Sequence, residues 1–359
     1  MSSIATTPMA FAGLLPVLGG AWEEVARMTR DGLRSRERFA SVDSGSDPLT
    51  EAGRDYHVPV LPREVIEKLS PTKGMVFLDG TLGGGGHSEL MLKSGARVIA
   101  LDQDAEALAF ARQRLSGFGE AFTAVQANFR DFARVLTEAG VDKVDGMLVD
   151  LGVSSHQLDE AARGFSFMQD GPLDMRMNPL EGRSAADWVN EEAEVELARI
   201  LWEYGEMRDS RRVARALVKR RDEKPFETTG DLASFLSSVL PRHGKTHPAT
   251  LSFQALRIAV NDELGALEQF LAEAPDWLKP GGKLAVISFH SLEDRIVKRA
   301  FLRYAMEWLD RPEWPEPRRN PEYCLKVLTR KPLEAAEDEV KINARSRSAR
   351  LRVAERIGS

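Results

Sequence analysis

Three aspartates, Asp79, Asp102 and Asp150, each close a short apolar run, and the first is followed by Gly80-Thr-Leu-Gly-Gly-Gly-Gly86-His87-Ser88. Apolar runs of this length that end in an acid read as buried parallel strands, and ligands gather outside the C-terminal ends of such strands. The glycines Gly83, Gly84, Gly85 and Gly86 let backbone N–H groups approach a ligand with no Cβ in the way. Asp79 stands directly before this loop, where a carboxylate suits an amine or hydroxyl better than a diphosphate. The amino acid half of S-adenosylmethionine carries such an ammonium. Asp102 is then placed to accept both hydroxyls of a ribose, and Phe129, after the third run, to cover an adenine face. No Gly-Lys-Ser/Thr follows the glycines, which sets nucleotide hydrolysis well behind. A nicotinamide dehydrogenase is the weaker alternative, because its pyrophosphate would lie against Asp79.

The elements that must position these groups alternate. Pro62 to Leu69 is expected as a helix, Met75–Asp79 as a strand, and a helix from near Ser88 closes at Gly95. Arg97–Asp102 and Ala121–Gln126 read as the second and third strands, and Val144–Val149, closed by Asp150, as the fourth; helices at Ala105–Leu115 and Phe132–Ala139 fall between them. This pattern predicts an α/β fold with a mostly parallel, doubly wound, Rossmann-like sheet. From Leu158 the chain reads as helical, with candidates at Ala185–Leu201, Ser210–Lys219, Asp231–Leu240 and Phe253–Phe270. A strand returns at Lys283–Phe289, entered by a Pro-Gly-Gly turn, so the helices form a subdomain inserted between strands four and five. The expected division is 1–54 as a disordered extension, 55–157 and 266–359 as the two parts of the sheet domain, and 158–265 as the insertion. Tyr323–Thr329 is expected as a last strand at an antiparallel edge.

The 359 residues carry a net charge of -6 and one cysteine, Cys324, which excludes a disulfide framework and a thiolate-rich metal site within the chain. No histidine–carboxylate spacing demands a metal, and none is expected. No segment reads as a secretory signal or a membrane span, so the cytoplasm is the expected compartment. The negative balance argues against broad coating of nucleic acid. Charge is uneven, however: Arg208, Arg211, Arg212, Arg215, Lys219, Arg220 and Arg221 crowd one stretch, and Lys341, Arg345, Arg347, Arg350 and Arg352 crowd a basic C-terminal tail. Solvated helix faces and phosphate-contacting surfaces both fit.

Several polar blocks are too specific for core packing: Tyr56-His-x-Pro-Val60, the Asp79–Ser88 loop, Asp145-Gly-Met-Leu-Val-Asp-Leu-Gly-Val-Ser-Ser155, Arg163-Gly-Phe-Ser-Phe167 and Asp170-Gly-Pro-Leu-Asp-Met-Arg-Met177. His247-Pro-Ala-Thr250, Phe253-Gln-Ala-Leu-Arg-Ile258, Asn261-Asp-Glu-Leu264, Ile287-Ser-Phe-His-Ser-Leu-Glu-Asp-Arg295 and the Asn343–Arg352 segment complete the set. From about Asp55 onward the chain closely resembles the bacterial small-subunit ribosomal RNA cytosine-N4 methyltransferase family. The resemblance implies a class I S-adenosylmethionine-dependent methyltransferase that methylates a cytidine in the decoding region of 16S ribosomal RNA. It implies cofactor contacts from Gly85, Gly86, His87, Asp102, Phe129, Asp150 and Gln157. The chain departs from the family pattern at His156, Met207 and Leu251, the last standing where an arginine is usual.

An exocyclic cytosine amine is a poor nucleophile, because its lone pair is delocalised into the ring. Positioning and acceptors around the amine must therefore supply much of the rate. The turn Asp150–Ser155 is the expected place, with Asp150, Ser154 and His290 as candidate catalytic residues; Asp150 serves the amine, the cofactor or both. Asp170, Asp174 and Arg176 either line the base pocket or tie the insertion to the sheet. Arg211, Arg212, Arg215, Arg257, Arg345 and Arg347 are candidate RNA contacts. The expected partner is 16S ribosomal RNA within the small ribosomal subunit, with a homodimer left open. A relic, non-catalytic RNA-binding assembly factor and a methyltransferase of another acceptor are the competing readings.

Overall fold

A computed structural model describes residues 59–241 and 247–358. The expected extension at 1–54 and the Tyr56-His57 end of the first block lie outside them. Helix α1 (Pro62–Leu69) starts on proline, whose fixed φ and missing N–H suit a first turn. Then follow β1 (Val76–Asp79), α2 (Gly86–Lys93), β2 (Arg97–Asp102), α3 (Ala105–Arg114), β3 (Phe122–Gln126), α4 (Phe132–Glu138), β4 (Val144–Asp150) and the short α5 (Ser155–Asp159). The insertion contributes α6 (Ala185–Glu191), α7 (Glu194–Glu203), α8 (Ser210–Glu223), α9 (Thr229–Val239) and α10 (Thr250–Asn261). The chain returns through α11 (Glu263–Glu273), β5 (Leu278–Ser288), α12 (Ser291–Ala305), a small hairpin β6 (Trp308–Leu309) and β7 (Arg318–Arg319), β8 (Leu325–Val327), α13 (Glu337–Ile342) and β9 (Arg350–Arg356).

The main sheet has the order β3-β2-β1-β4-β5-β9-β8. Pairing is parallel from β3 through β5 and antiparallel on both sides of β9. Helices α1, α2 and α3 cover one face and α4, α11 and α12 the other, each layer with its own apolar core. Together these features make a Rossmann-like class I methyltransferase fold carrying an inserted helical subdomain. Strand order turns back between β1 and β4, so their C-terminal ends flank the crevice where such folds bind ligands. Register there depends on Gly146: paired with Phe77, it would place a Cβ 2.5 Å from that ring.

Three expectations change in detail. The long helices read at Ala185–Leu201 and Phe253–Phe270 are each two. The first breaks at extended Glu192-Ala193, and the second at Asp262, whose φ is 45°. The Pro-Gly-Gly turn lies inside β5 as a bulge: β4 advances from Val144 to Gly146 while β5 advances from Leu278 to Lys283. The basic tail is not a loose or helical surface beyond Arg350. It forms β9, inserted beside β5, and buried Arg352 there binds Asp294 at 2.6 Å and 3.0 Å. Consequently β8 occupies the sheet edge, and the antiparallel strand is β9. The insertion holds a third core, built around Phe226, Leu232 and Leu236. Among the described residues no helix is long and apolar enough to cross a membrane.

Candidate active site

A cleft of about 290 Å³ opens at the C-terminal ends of β1, β2 and β4. The sheet lines it with the glycine loop, Asp102, Phe129 and Asp150; the insertion lines it with Met177, Arg257 and Asn261.

The loop after β1 is held from beneath. Asp79 is only 1% exposed, and its carboxylate accepts from Ser88 Oγ at 2.7 Å and Thr81 N–H at 3.2 Å. Burial pushes its pKa up, against the pull of Ser88 and His87. Asp79 therefore lies under the loop rather than on the cleft wall where an ammonium was expected to meet it. Gly83, Gly84 and Gly86 face the cleft, whereas Gly85 turns away at φ 77°, where an added Cβ would stand 2.9 Å from Leu115. That turn starts α2 and delivers His87.

Asp102, at the end of β2, accepts from Gly83 N–H at 2.8 Å and Asp104 N–H at 2.9 Å. Burial pushes its carboxyl up to about 6. Phe129 follows β3 and packs edge-to-face on Phe270, their centroids 5.7 Å apart, which fixes the ring at the cleft wall. His87 is 6% exposed, and neither ring nitrogen has a hydrogen-bond partner among the described residues; Nε2 lies 3.7 Å from Asp150 Oδ2. Asp150 Oδ1 is likewise buried without a hydrogen-bond partner among the described residues, while its backbone N–H donates to Thr81 Oγ1 at 2.6 Å. Buried polar atoms left unpaired are costly, so this pair points to a polar ligand in the cleft. The residues present fit S-adenosylmethionine: glycine backbone, a ribose-type acid, an aromatic wall and unpaired polar atoms.

The turn after β4 is committed to capping. Ser154 Oγ accepts from Gln157 N–H at 3.1 Å, and Gln157 Oε1 accepts from Ser154 N–H at 3.0 Å. The Gln157 amide also donates to Asp104 at 2.8 Å, so its side chain holds structure although it lines the cleft. Buried Arg163 joins the same carboxylate at 2.8 Å and also donates to the Arg176 and Met177 carbonyls. The insertion is thus tied to the sheet by Arg163 and Asp104. Of the expected tie, Asp174 and Arg176 form a two-pronged pair with each other at 2.8 Å, and Asp170 accepts from Gly230 N–H at 2.7 Å at the start of α9.

At the end of β5, His290 and Glu293 form the reciprocal cap of α12. His290 Nδ1 accepts from Glu293 N–H at 3.4 Å, and its Nε2 lies 3.1 Å from Glu293 Oε1. Burial would raise the Glu293 carboxyl, but His290, the Phe289 N–H and Arg257 hold it below the usual range. Arg257 donates from Nε and Nη2 to both oxygens of Glu263, each at 2.8 Å. Ligand-type atoms of Glu263, His290 and Glu293 lie within 4.8 Å of one another, and the cation facing them is Arg257.

Arg211, Arg212 and Arg215 are exposed on α8, Arg347 is exposed before β9, and half-buried Arg345 lines the cleft with no hydrogen-bond partner for Nη1 among the described residues. His156 pairs with Glu106 at 3.2 Å, Met207 is packed in the insertion core and Leu251 is exposed on the first turn of α10. Sequence reasoning gave no role to Thr81, Asp104, Arg163, Glu263 or Glu293. All but Asp104 sat in the specific polar blocks, which was the available signal.

A family model described as the MraW methylase family matches residues 54–357. A ribosomal RNA small subunit methyltransferase H from Heliobacterium mobile is 52% identical over 309 residues, covering 84% of this chain and 99% of that protein. Proteins of the same name from Geobacter sp. strain M21 and Geotalea uraniireducens are 53% and 51% identical over 308 residues, again covering 84% of this chain and 99% of theirs.

Proposed function

The chain belongs to the MraW methylase family, and on that premise we propose that it transfers the methyl group of S-adenosylmethionine to the exocyclic N4 of a cytidine in the decoding region of 16S ribosomal RNA. The observation that carries this reading is the buried Asp150 Oδ1, without a hydrogen-bond partner among the described residues, in the same cleft as the glycine loop and Asp102. S-adenosylmethionine, when bound, supplies an electrophilic methyl on a sulfonium. Gly83, Gly84, His87, Asp102 and Phe129 are the residues that would hold it. Asp150 accepts an amine hydrogen and so favours the positive charge that grows on nitrogen as its lone pair is drawn out of the ring. Ser154 and His290 act as positioning residues, because Ser154 Oγ and His290 Nδ1 are engaged in helix caps.

The acceptor lies in folded RNA and must be unstacked to enter a cleft. Arg211, Arg212, Arg215, Arg345 and Arg347 are the proposed phosphate contacts within the small subunit. The test is labelled-methyl transfer from S-adenosylmethionine to small subunits lacking base methylation, followed by nucleoside digestion and mass spectrometry. N4-methylcytidine that disappears with Asp150→Ala is the expected product. Measurable cofactor binding with no incorporation into subunits, assembly intermediates or free RNA would overturn the reading.

A further inference from the structure

Arg257 was grouped by sequence with arginines that meet phosphate, yet its guanidinium lines the cleft wall from α10. Two of its nitrogens are fixed by the fork on Glu263, and among the described residues the hydrogen bonds of its guanidinium are those of Nε and Nη2, which leaves Nη1 to a ligand. Two polar neighbours of Arg257, Asn261 and Glu293, are already engaged. The Asn261 amide donates to the Met175 and Arg257 carbonyls and accepts from Met177 N–H, and Glu293 Oε2 accepts from Phe289 and His290 N–H. Charge then decides what Nη1 can meet. Glu263 neutralises Arg257, and Glu293 adds a further negative charge beside it. A phosphodiester, which is fully anionic, is disfavoured there; a neutral acceptor is not.

We propose that Arg257 Nη1 donates to the N3/O2 edge of the acceptor cytosine, making Arg257 a specificity-determining residue; this rests on the proposed function. Uracil and guanine present an N–H where cytosine presents N3, so a fixed donor at that edge rejects them and accepts cytosine. The fork on Glu263 holds the guanidinium plane before the base arrives, so less ordering is needed when the bond forms.

The test compares methylation of small subunits carrying cytidine or 3-deazacytidine, which lacks the N3 acceptor, at the modified position. Wild type is compared with the paired variant Arg257→Ala/Glu263→Ala, which leaves neither partner of the buried fork alone. Each enzyme's ratio of kcat/KM on the two substrates is the readout, so intrinsic amine reactivity and any loss of folded protein cancel between them. Wild type is expected to prefer cytidine by about 10- to 100-fold more than the variant does. Equal ratios in the two enzymes would overturn the assignment of Arg257. Wild type that leaves the natural cytidine unmethylated would instead overturn the proposed function on which it rests.

Discussion

Burial pushes the Asp102 carboxyl up to about 6 even though Gly83 and Asp104 each donate a backbone N–H to it. The ionised carboxylate accepts both hydroxyls of a ribose diol, whereas the protonated carboxyl is a weaker acceptor with one oxygen turned donor, so cofactor binding below that pKa is coupled to loss of a proton. The sign follows: affinity for S-adenosylmethionine is full above pH 7 and falls as pH drops through 6. Calorimetric titration from pH 7.5 to pH 5 should show Kd rising roughly tenfold, and Asp102→Asn should weaken binding at pH 7.5 and flatten the profile. A wild-type Kd independent of pH would remove Asp102 from the cofactor. Asp150 makes a different prediction, since its free oxygen is assigned to the amine. Asp150→Asn should lower kcat by roughly 100-fold, about 2.7 kcal/mol of transition-state stabilisation. Should kcat hold while cofactor Kd weakens, Asp150 serves the cofactor alone. All three strand-ending acids were legible as types in positions. That Asp79 supports the loop from below was not, because it depends on the path of the loop, which places Thr81 and Ser88 over the carboxylate.

Elements whose boundaries rest on local chemistry were legible, and those set by distant partners were not. The apolar runs of β1, β2 and β4, and proline at the start of α1, carry their own signal. Helix α10 ends at Asp262, where a left-handed residue interrupts an otherwise helical pattern while Arg130 pairs with its side chain at 2.9 Å from across the fold. Strand β9 was hidden because its arginines mimic a solvated tail; Asp294 of α12 is what allows Arg352 to be buried. The same dependence governs how the insertion meets the sheet. Arg163 touches Asp104 at 2.8 Å, both nearly fully buried, and Asp104 also caps α3 through Glu106 N–H. Arg163→Met leaves that carboxylate buried with its cation gone, a change that costs about 3–5 kcal/mol. Thermal unfolding should shift down by on the order of 10 °C. The double variant with Asp104→Asn should recover part of the loss. An unshifted single variant would mean that Arg163 does not secure the insertion.

At the scale of the molecule, a chain of net charge -6 that acts on RNA must concentrate its positive surface, since phosphate contact is local and repulsion from the remaining acids is screened over about 10 Å at moderate salt. The fold separates two arginine populations that look alike in sequence. Arg257 and Arg352 are drawn inward by Glu263 and Asp294, while Arg211, Arg212 and Arg215 stay exposed on α8. Those on α8 are loosely held: Arg212 lies 3.3 Å from Asp209 and donates to the Val239 carbonyl at 3.1 Å, and Arg215 lies 3.5 Å from Glu194, exposed contacts of the kind worth little in water. Their charge is therefore available to phosphate at small cost. Replacing all three by alanine should raise KM for small subunits while leaving the Kd of S-adenosylmethionine and the melting temperature in place. Each phosphate contact removed should also flatten the dependence of log affinity on log salt by just under one, so the slope should fall by roughly two to three. An unchanged slope with intact activity would locate the RNA on another face, leaving Arg345 and Arg347 to carry the backbone contacts beside the cleft.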